Sequence, residues 1–264
     1  MKIFLKTEEE IELMRAANLM VGSTLAEVGK AVKPGVTTRQ LDQIAEEYIR
    51  DNGGIPTFKG FPNPCGGNSF PASICTSVND VVVHGLPNNE PLREGDIVSI
   101  DCGILLGGYN GDSCYTFCVG EVSEEIRKLL KTTKKSLYLG IEKALPGRRI
   151  GDISNAIQSH CEIAGYGIVR EFVGHGIGKT MHEDPPVPNY GDRGTGPQIK
   201  NGLCIAIEPM ITLGSPKVYI TDDRWTVKTL DGKPAAHFEH TIAIHQGRVD
   251  ILSSFEEIEK LEQL

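Results

Sequence analysis

Glu94-Gly95-Asp96-Ile97-Val98-Ser99-Ile100-Asp101 has a counterpart later in the chain, Asn201-Gly202-Leu203-Cys204-Ile205-Ala206-Ile207-Glu208. Each is a turn with glycine in second place, then an apolar run of strand type, then a carboxylate. The correspondence continues outward. Upstream, Pro34-Gly35 answers to Pro146-Gly147, and the stripe Leu41, Ile44, Ala45, Tyr48, Ile49 with its stop at Gly53 answers to Ile153, Ala156, Ile157, His160, Cys161 and Gly165. Downstream, Asp112 precedes Gly120 by the interval that separates Glu239 from Gly247. The chain therefore holds two copies of one supersecondary unit, about 7–120 and about 123–247.

Each copy opens with helices. Thr7 with Glu10, and Thr37 with Gln40, have capping-box spacing, and Ile11, Met14, Val21, Leu25 and Val28 mark one face of the first helix. Ser123 caps a third helix through Ile126, Leu130, Leu137 and Ile141. His160 falls on the apolar stripe of the fourth and reads as a packing residue. Strands and loops follow each helical pair, so the class is α+β: two αβ halves about a pseudo-two-fold axis, with curved antiparallel strands facing a shared cleft. No Pro/Ser-rich linker divides them, and residues 1–264 are expected to form a single domain. The loop-like stretch Tyr190–Pro197 is expected to rim the cleft.

At 264 residues and 39% hydrophobic content there is material for a continuous core. A net charge of -8 argues against direct nucleic-acid readout, and Lys128, Lys131, Lys134 and Lys135 read as a solvated helix face. Seven cysteines, an odd number with no CxxC pair, suggest neither a disulfide framework nor a thiolate metal site. A reducing cytoplasm fits, and no apolar stretch is long enough for a signal peptide or a membrane span.

The repeat matches Asp101 to Glu208 and Asp112 to Glu239. A carboxylate late in an apolar strand is costly to bury unless it is paired or bound to a cation. Four of them, related two by two, call for two divalent ions to neutralise the charge. His175, between Gly174 and Gly176, is the leading imidazole, and one imidazole among carboxylates favours Mn, Fe, Co or Zn over Ca. His237, His240 and His245 stand at no spacing that assigns them a part.

Six stretches together resemble one family: Ser73-Ile74-Cys75-Thr76-Ser77-Val78-Asn79 leading to Val83-His84-Gly85-Leu86-Pro87, Ile100-Asp101, Gly111-Asp112-Ser113, Gly174-His175-Gly176-Ile177-Gly178, Ile207-Glu208-Pro209-Met210 and Phe238-Glu239-His240-Thr241. The chain looks, over essentially its whole length, like a type I methionine aminopeptidase of the bacterial kind, one of the pita-bread metallopeptidases. The resemblance implies that Asp101, Asp112, His175, Glu208 and Glu239 ligate two metal ions (Co, Mn, Fe or Zn), with Asp112 and Glu239 bridging them. It implies that the initiator methionine is removed from nascent polypeptides with a small second residue, by a hydroxide shared between the ions. Glu208 is the expected proton shuttle. His84 and His182 are expected to contact the scissile region and stabilise the developing oxyanion. Phe58, Phe61, Phe70, Met181 and Trp225 are expected to line the methionine pocket. A monomer, transient ribosome association and no membrane contact complete the expectation.

Two departures stand out. The segment Gly60–Phe70 is longer than this family pattern, and Met181 occupies a place where an aromatic is expected. The nearest rival is a proline-specific peptidase of the same fold, such as prolidase or aminopeptidase P; those carry a substantial N-terminal domain, whereas here the first helix begins near Thr7. A non-enzymatic binding module of this fold is a second rival, but such modules commonly lose ligands and all five are present.

Overall fold

Both threonine capping boxes form. In the computed structural model, which describes residues 2–64 and 66–261, Thr7 Oγ1 accepts from Glu10 N at 3.3 Å while Glu10 Oε2 accepts from Thr7 N at 2.9 Å. This opens α1 (Glu8–Ala31), and Thr37 with Gln40 opens α2 (Thr38–Asp51) in the same way. The chain continues through β1 (Ile55–Pro56), β2 (Ile74–Val78), β3 (Val81–Val83), β4 (Ile97–Leu106) and β5 (Tyr109–Cys118). Two helices follow, α3 (Glu124–Ile141), capped by Ser123, and α4 (Ile150–Ile163). The second half adds β6 (Gly167–Ile168), β7 (Gly174–Gly176), β8 (Glu183–Val187), β9 (Cys204–Ile207), β10 (Met210–Thr212) and β11 (Val218–Ile220). It ends with β12 (Val227–Thr229), β13 (Ala235–His237), β14 (Glu239–His245), β15 (Arg248–Ile251) and α5 (Glu256–Leu261).

The repeat is realised in the backbone. Gly95 and Gly202 turn the chain into matching strands with φ of +89° and +87°, a left-handed conformation that disfavours any side chain. The main sheet runs β1-β4-β5-β14-β9-β7-β8, with β2 paired to β4 and β15 to β14. Its centre is the antiparallel pair β5 and β14, where the two halves meet.

Strand alternation decides which face carries chemistry. Val98, Ile100 and Tyr115 point into the core with Leu25, Leu41, Leu137 and Ile157 from the four long helices. Asp101, Asp112 and Cys114 therefore point the other way. Helix α1 lies directly on β5: a Cβ on Gly111 would stand 2.7 Å from the backbone of Ala17. That contact lets buried Asn18 Oδ1 accept the Asp112 N–H at 3.1 Å.

Two expectations are corrected. The stretch Tyr190–Pro197 does not rim the cleft; it is pinned to α4, where Gln158 accepts from Gly191 N at 2.9 Å and Asp152 from Gly194 N at 3.1 Å. Half-buried polar side chains of α4 hold this loop against the helix. Nor is the lysine run wholly solvated, since Lys134 lies over the Tyr115 ring at 4.9 Å and pairs with Glu259 at 2.6 Å. Cys75, Cys102, Cys114, Cys161 and Cys204 are free; Cys65 lies outside the described residues. Among the described residues no helix is long and apolar enough to cross a membrane.

Candidate active site

Strand register assembles the acidic cluster. Cys75 stands opposite Asp101, Asp101 opposite Cys114, and Cys114 opposite Glu239, a row across β2, β4, β5 and β14. Directly opposed residues share a face of the sheet, so the row puts both acids on the cleft side. Asp112, two residues before Cys114, joins them there. Glu208 follows β9 directly, and since Ile207 pairs with His240, Glu208 arrives beside Glu239. β7 brings His175 alongside β9 through the pairing of Gly176 with Ile205.

Ligand atoms of Asp112, His175 and Glu239 all lie within 4.8 Å of one another. His175 Nε2 is 3.6 Å from Asp112 Oδ2 and 3.7 Å from Glu208 Oε1. Asp101 borders Asp112 closely enough for each to perturb the other. Burial, reinforced by the neighbouring negative charges, raises Asp101, Glu208 and Glu239 well above the usual carboxylate range; burial alone drives Asp112 up to about 8. Four acids sharing a water-poor site cannot all ionise without a cation.

The side chains fit such a cation on two further counts. Asp101 Oδ1, Asp112 Oδ1 and Glu239 Oε1 are buried with no hydrogen-bond partner among the described residues, an arrangement that costs stability unless something else is bound. The His175 ring donates from Nδ1 to the Gly176 carbonyl at 2.9 Å, which leaves the Nε2 lone pair facing the carboxylates. Burial lowers His175 to about 4, so the ring is neutral and able to ligate.

Two cavities meet at this cluster and share His84, Asp101, His175, His182 and Glu208 in their walls. One, of 340 Å³, is walled by Phe58, Phe61, Phe70 and Trp225; the other, of 390 Å³, is walled by Val173, Glu183, Asp184 and Pro186. A larger cavity of 620 Å³ opens among α1, β5, α3 and α5 and has none of Asp101, Asp112, Glu208 and Glu239 in its wall, so size does not mark the site. Phe70 stands edge-on to Phe58 at 6.4 Å and to Trp225 at 5.1 Å, and Trp225 Nε1 donates to the Asn68 carbonyl at 3.0 Å. The long Gly60–Phe70 segment is thus tied to the turn that carries Trp225.

His182 packs against the His175 ring at 4.4 Å and Phe61 at 5.3 Å, while His84 packs against Phe172 at 5.5 Å. Burial brings both His84 and His182 down to about 4, so each is neutral with one N–H to give. His84 holds a φ of +58°, a strained conformation for a residue with a side chain.

Met181 does not line the aromatic cavity. It is 4% exposed in a cluster with Ile11, Met14 and Ile177, and it backs Phe58 across Gly103. A flexible thioether fills that gap, whereas the wall itself is aromatic. The sequence reading missed Pro64, Cys75 and Phe172, which do line the cavity. Cys75 was legible as the cross-strand partner of Asp101 only once the register was known. His237 was also missed: it is buried, its Nε2 is 3.7 Å from Glu208 Oε2, and burial holds the ring down at about 3.

Residues 12–246 match the model of metallopeptidase family M24. The chain is 52% identical over 252 residues to a methionine aminopeptidase of Clostridium acetobutylicum, covering 95% of this chain and 98% of that one. It is 49% identical over 251 residues to methionine aminopeptidase 1 of Bacillus subtilis, covering 95% and 99%. The crystal structure of methionine aminopeptidase from Thermotoga maritima superposes with a TM-score of 0.92 at 40% identity, covering 96% of this chain and all of that one. With an acidic cluster suited to cations set in a fold shared over nearly its full length, the chain belongs to metallopeptidase family M24 and, within it, to the bacterial methionine aminopeptidases.

Proposed function

We propose that this enzyme removes methionine from the N-terminus of nascent polypeptides whose second residue is small, hydrolysing the first peptide bond where the aromatic and polar cavities meet. The observation that carries the reading is the set of partnerless carboxylate oxygens adjoining the aromatic cavity. Asp101, Asp112, His175, Glu208 and Glu239 are the proposed ligands of two divalent ions, and oxygen donors with one imidazole suit Mn, Fe, Co or Zn. Bound there, such ions supply Lewis acidity toward the scissile carbonyl and acidify water.

The chain's own groups do the rest. Phe58, Phe61, Phe70 and Trp225 take the methionine side chain, whose thioether favours aromatic edges. His84 and His182, as neutral N–H donors, address the carbonyl oxygen as it gains charge. Glu208 accepts the proton from the attacking water and delivers it to the leaving amine as the C–N bond breaks, so the carboxylate ends as it began. The polar cavity beside Glu183 and Pro186 is the proposed exit for the rest of the peptide. The proposed setting is the cytoplasm, as a monomer in transient contact with the ribosome, and the buried free thiols of Cys75, Cys102, Cys114, Cys161 and Cys204 support a reducing compartment.

A chelator-treated sample should fail to cleave Met-Ala-Ser and regain activity with Mn, Co or Fe. Activity that ignores chelation, or a preference for Ala-Pro over Met-Ala peptides, overturns the reading.

A further inference from the structure

His237 closes β13 two residues before Glu239 and is 2% exposed. Its backbone is fully engaged: the N–H donates to Thr116 Oγ1 at 3.1 Å, and the carbonyl accepts from the same hydroxyl at 2.6 Å. The ring is not, since buried Nε2 has no hydrogen-bond partner among the described residues. The acid it faces is Glu208, whose Oε2 stands 3.7 Å away, while Oε1 of the same carboxylate stands 3.7 Å from His175 Nε2. Glu208 is therefore held between two imidazoles, one on each oxygen.

A buried polar nitrogen left without a partner costs stability, and an apolar side chain of similar shape would avoid that cost. The ring is explained if it gains its bond when the site is at work. A small movement closes 3.7 Å to hydrogen-bond length. We propose that His237 is a positioning residue: it donates its Nε2–H to Glu208 Oε2 and fixes the rotation of that carboxylate, keeping Oε1 turned toward His175 and the reacting groups. The proposal rests on the reading of Glu208 as ligand and proton shuttle. It gives the outer oxygen a fixed donor, as the second partners of ligating side chains commonly have.

The test compares His237→Gln, which keeps an N–H donor, with His237→Leu, which keeps bulk without one; His237→Met replaces the latter should it fail to fold. Mn(II) affinity is measured by titration calorimetry on chelator-treated protein, and kcat and KM on Met-Ala-Ser. The expected result is a loss of about 10–100-fold in Mn(II) affinity for the leucine variant, with kcat reduced and KM little changed. The glutamine variant should stay close to wild type in all three. A leucine variant that binds Mn(II) and turns over like wild type overturns the proposal, as does a glutamine variant impaired as severely as the leucine one. Failure of the wild-type enzyme on methionyl peptides would sink the functional reading alone, because the ratio of Mn(II) affinities reports on His237 independently of substrate.

Discussion

Glu208 has one oxygen turned to His175 and the other to His237, and burial among other acids raises it above the ordinary carboxylate range. A carboxylate so placed is a poor permanent anion and a good temporary holder of a proton. Glu208→Gln should leave the circular dichroism spectrum unchanged and lower kcat on Met-Ala-Ser by about 10²–10⁴-fold, the usual span for loss of a general acid–base group. Turnover within a few-fold of wild type would remove Glu208 from that role. His182→Ala should lower kcat by about 10²–10³-fold, the loss seen when an oxyanion donor is removed. If KM alone changed, His182 would be a binding residue and not a donor to the transition state. At this scale the four acids were legible in the sequence, because a repeat that preserves carboxylates in apolar strands is visible one residue at a time, and His175 was legible through its flanking glycines. His237 was not, because its partner Glu208 lies just after β9, remote from it in sequence.

Helix α1 positions the cleft from behind, since its Ala17 and Asn18 backbone sits against Gly111, next to Asp112. Gly111→Ala should cost about 3 kcal/mol, the upper end for overpacking, because the atoms met are backbone and cannot rotate away. Urea unfolding reads this directly, and a variant as stable as wild type would show that α1 can move off β5. The N-terminal segment performs a comparable task at the other rim. Lys6 Nζ meets Glu183 Oε2 at 2.5 Å with side chains 5% and 7% exposed, immediately after His182. Lys6→Met should leave Glu183 as an unpaired buried charge and cost about 3–5 kcal/mol. A midpoint in urea unchanged by the substitution would mean that Glu183 finds water or another partner. Element boundaries were legible in the sequence: Thr7, Thr37 and Ser123 all cap, because capping is settled within three residues of chain. The pinning of Tyr190–Pro197 to α4 was not, because it depends on two segments meeting.

Across the whole molecule, the acidic cluster links cation binding to stability. With no ion bound, burial drives Asp112 up to about 8 against 3.8 for its ordinary value. The folded state then holds more protons than the unfolded chain over that interval, so unfolding free energy falls as pH rises. The contribution is fully present below about pH 4 and is lost as pH passes about 8. Ion binding runs the other way, because ligands must shed their protons first. The gap in melting temperature between Mn-loaded and stripped protein should therefore widen from acid to mildly alkaline pH; a gap independent of pH would sink this linkage. The proposed single domain carries its own expectation, one cooperative transition in urea by both fluorescence and circular dichroism, and two separated transitions would show the halves folding alone.

By itself the amino-acid sequence determined the starts of α1, α2 and α3, the internal repeat, the identity of the acids and, through six short stretches, the family. These are local or translational properties, readable from periods of 2 and 3.6 residues and from self-similarity. Only the tertiary structure decided that Asp101, Cys114 and Glu239 form one row, that Met181 stands behind Phe58 and that His237 faces Glu208. Contacts between distant strands are set by register and by the packing of helices on the sheet, and no pattern within a single strand encodes its neighbour's register.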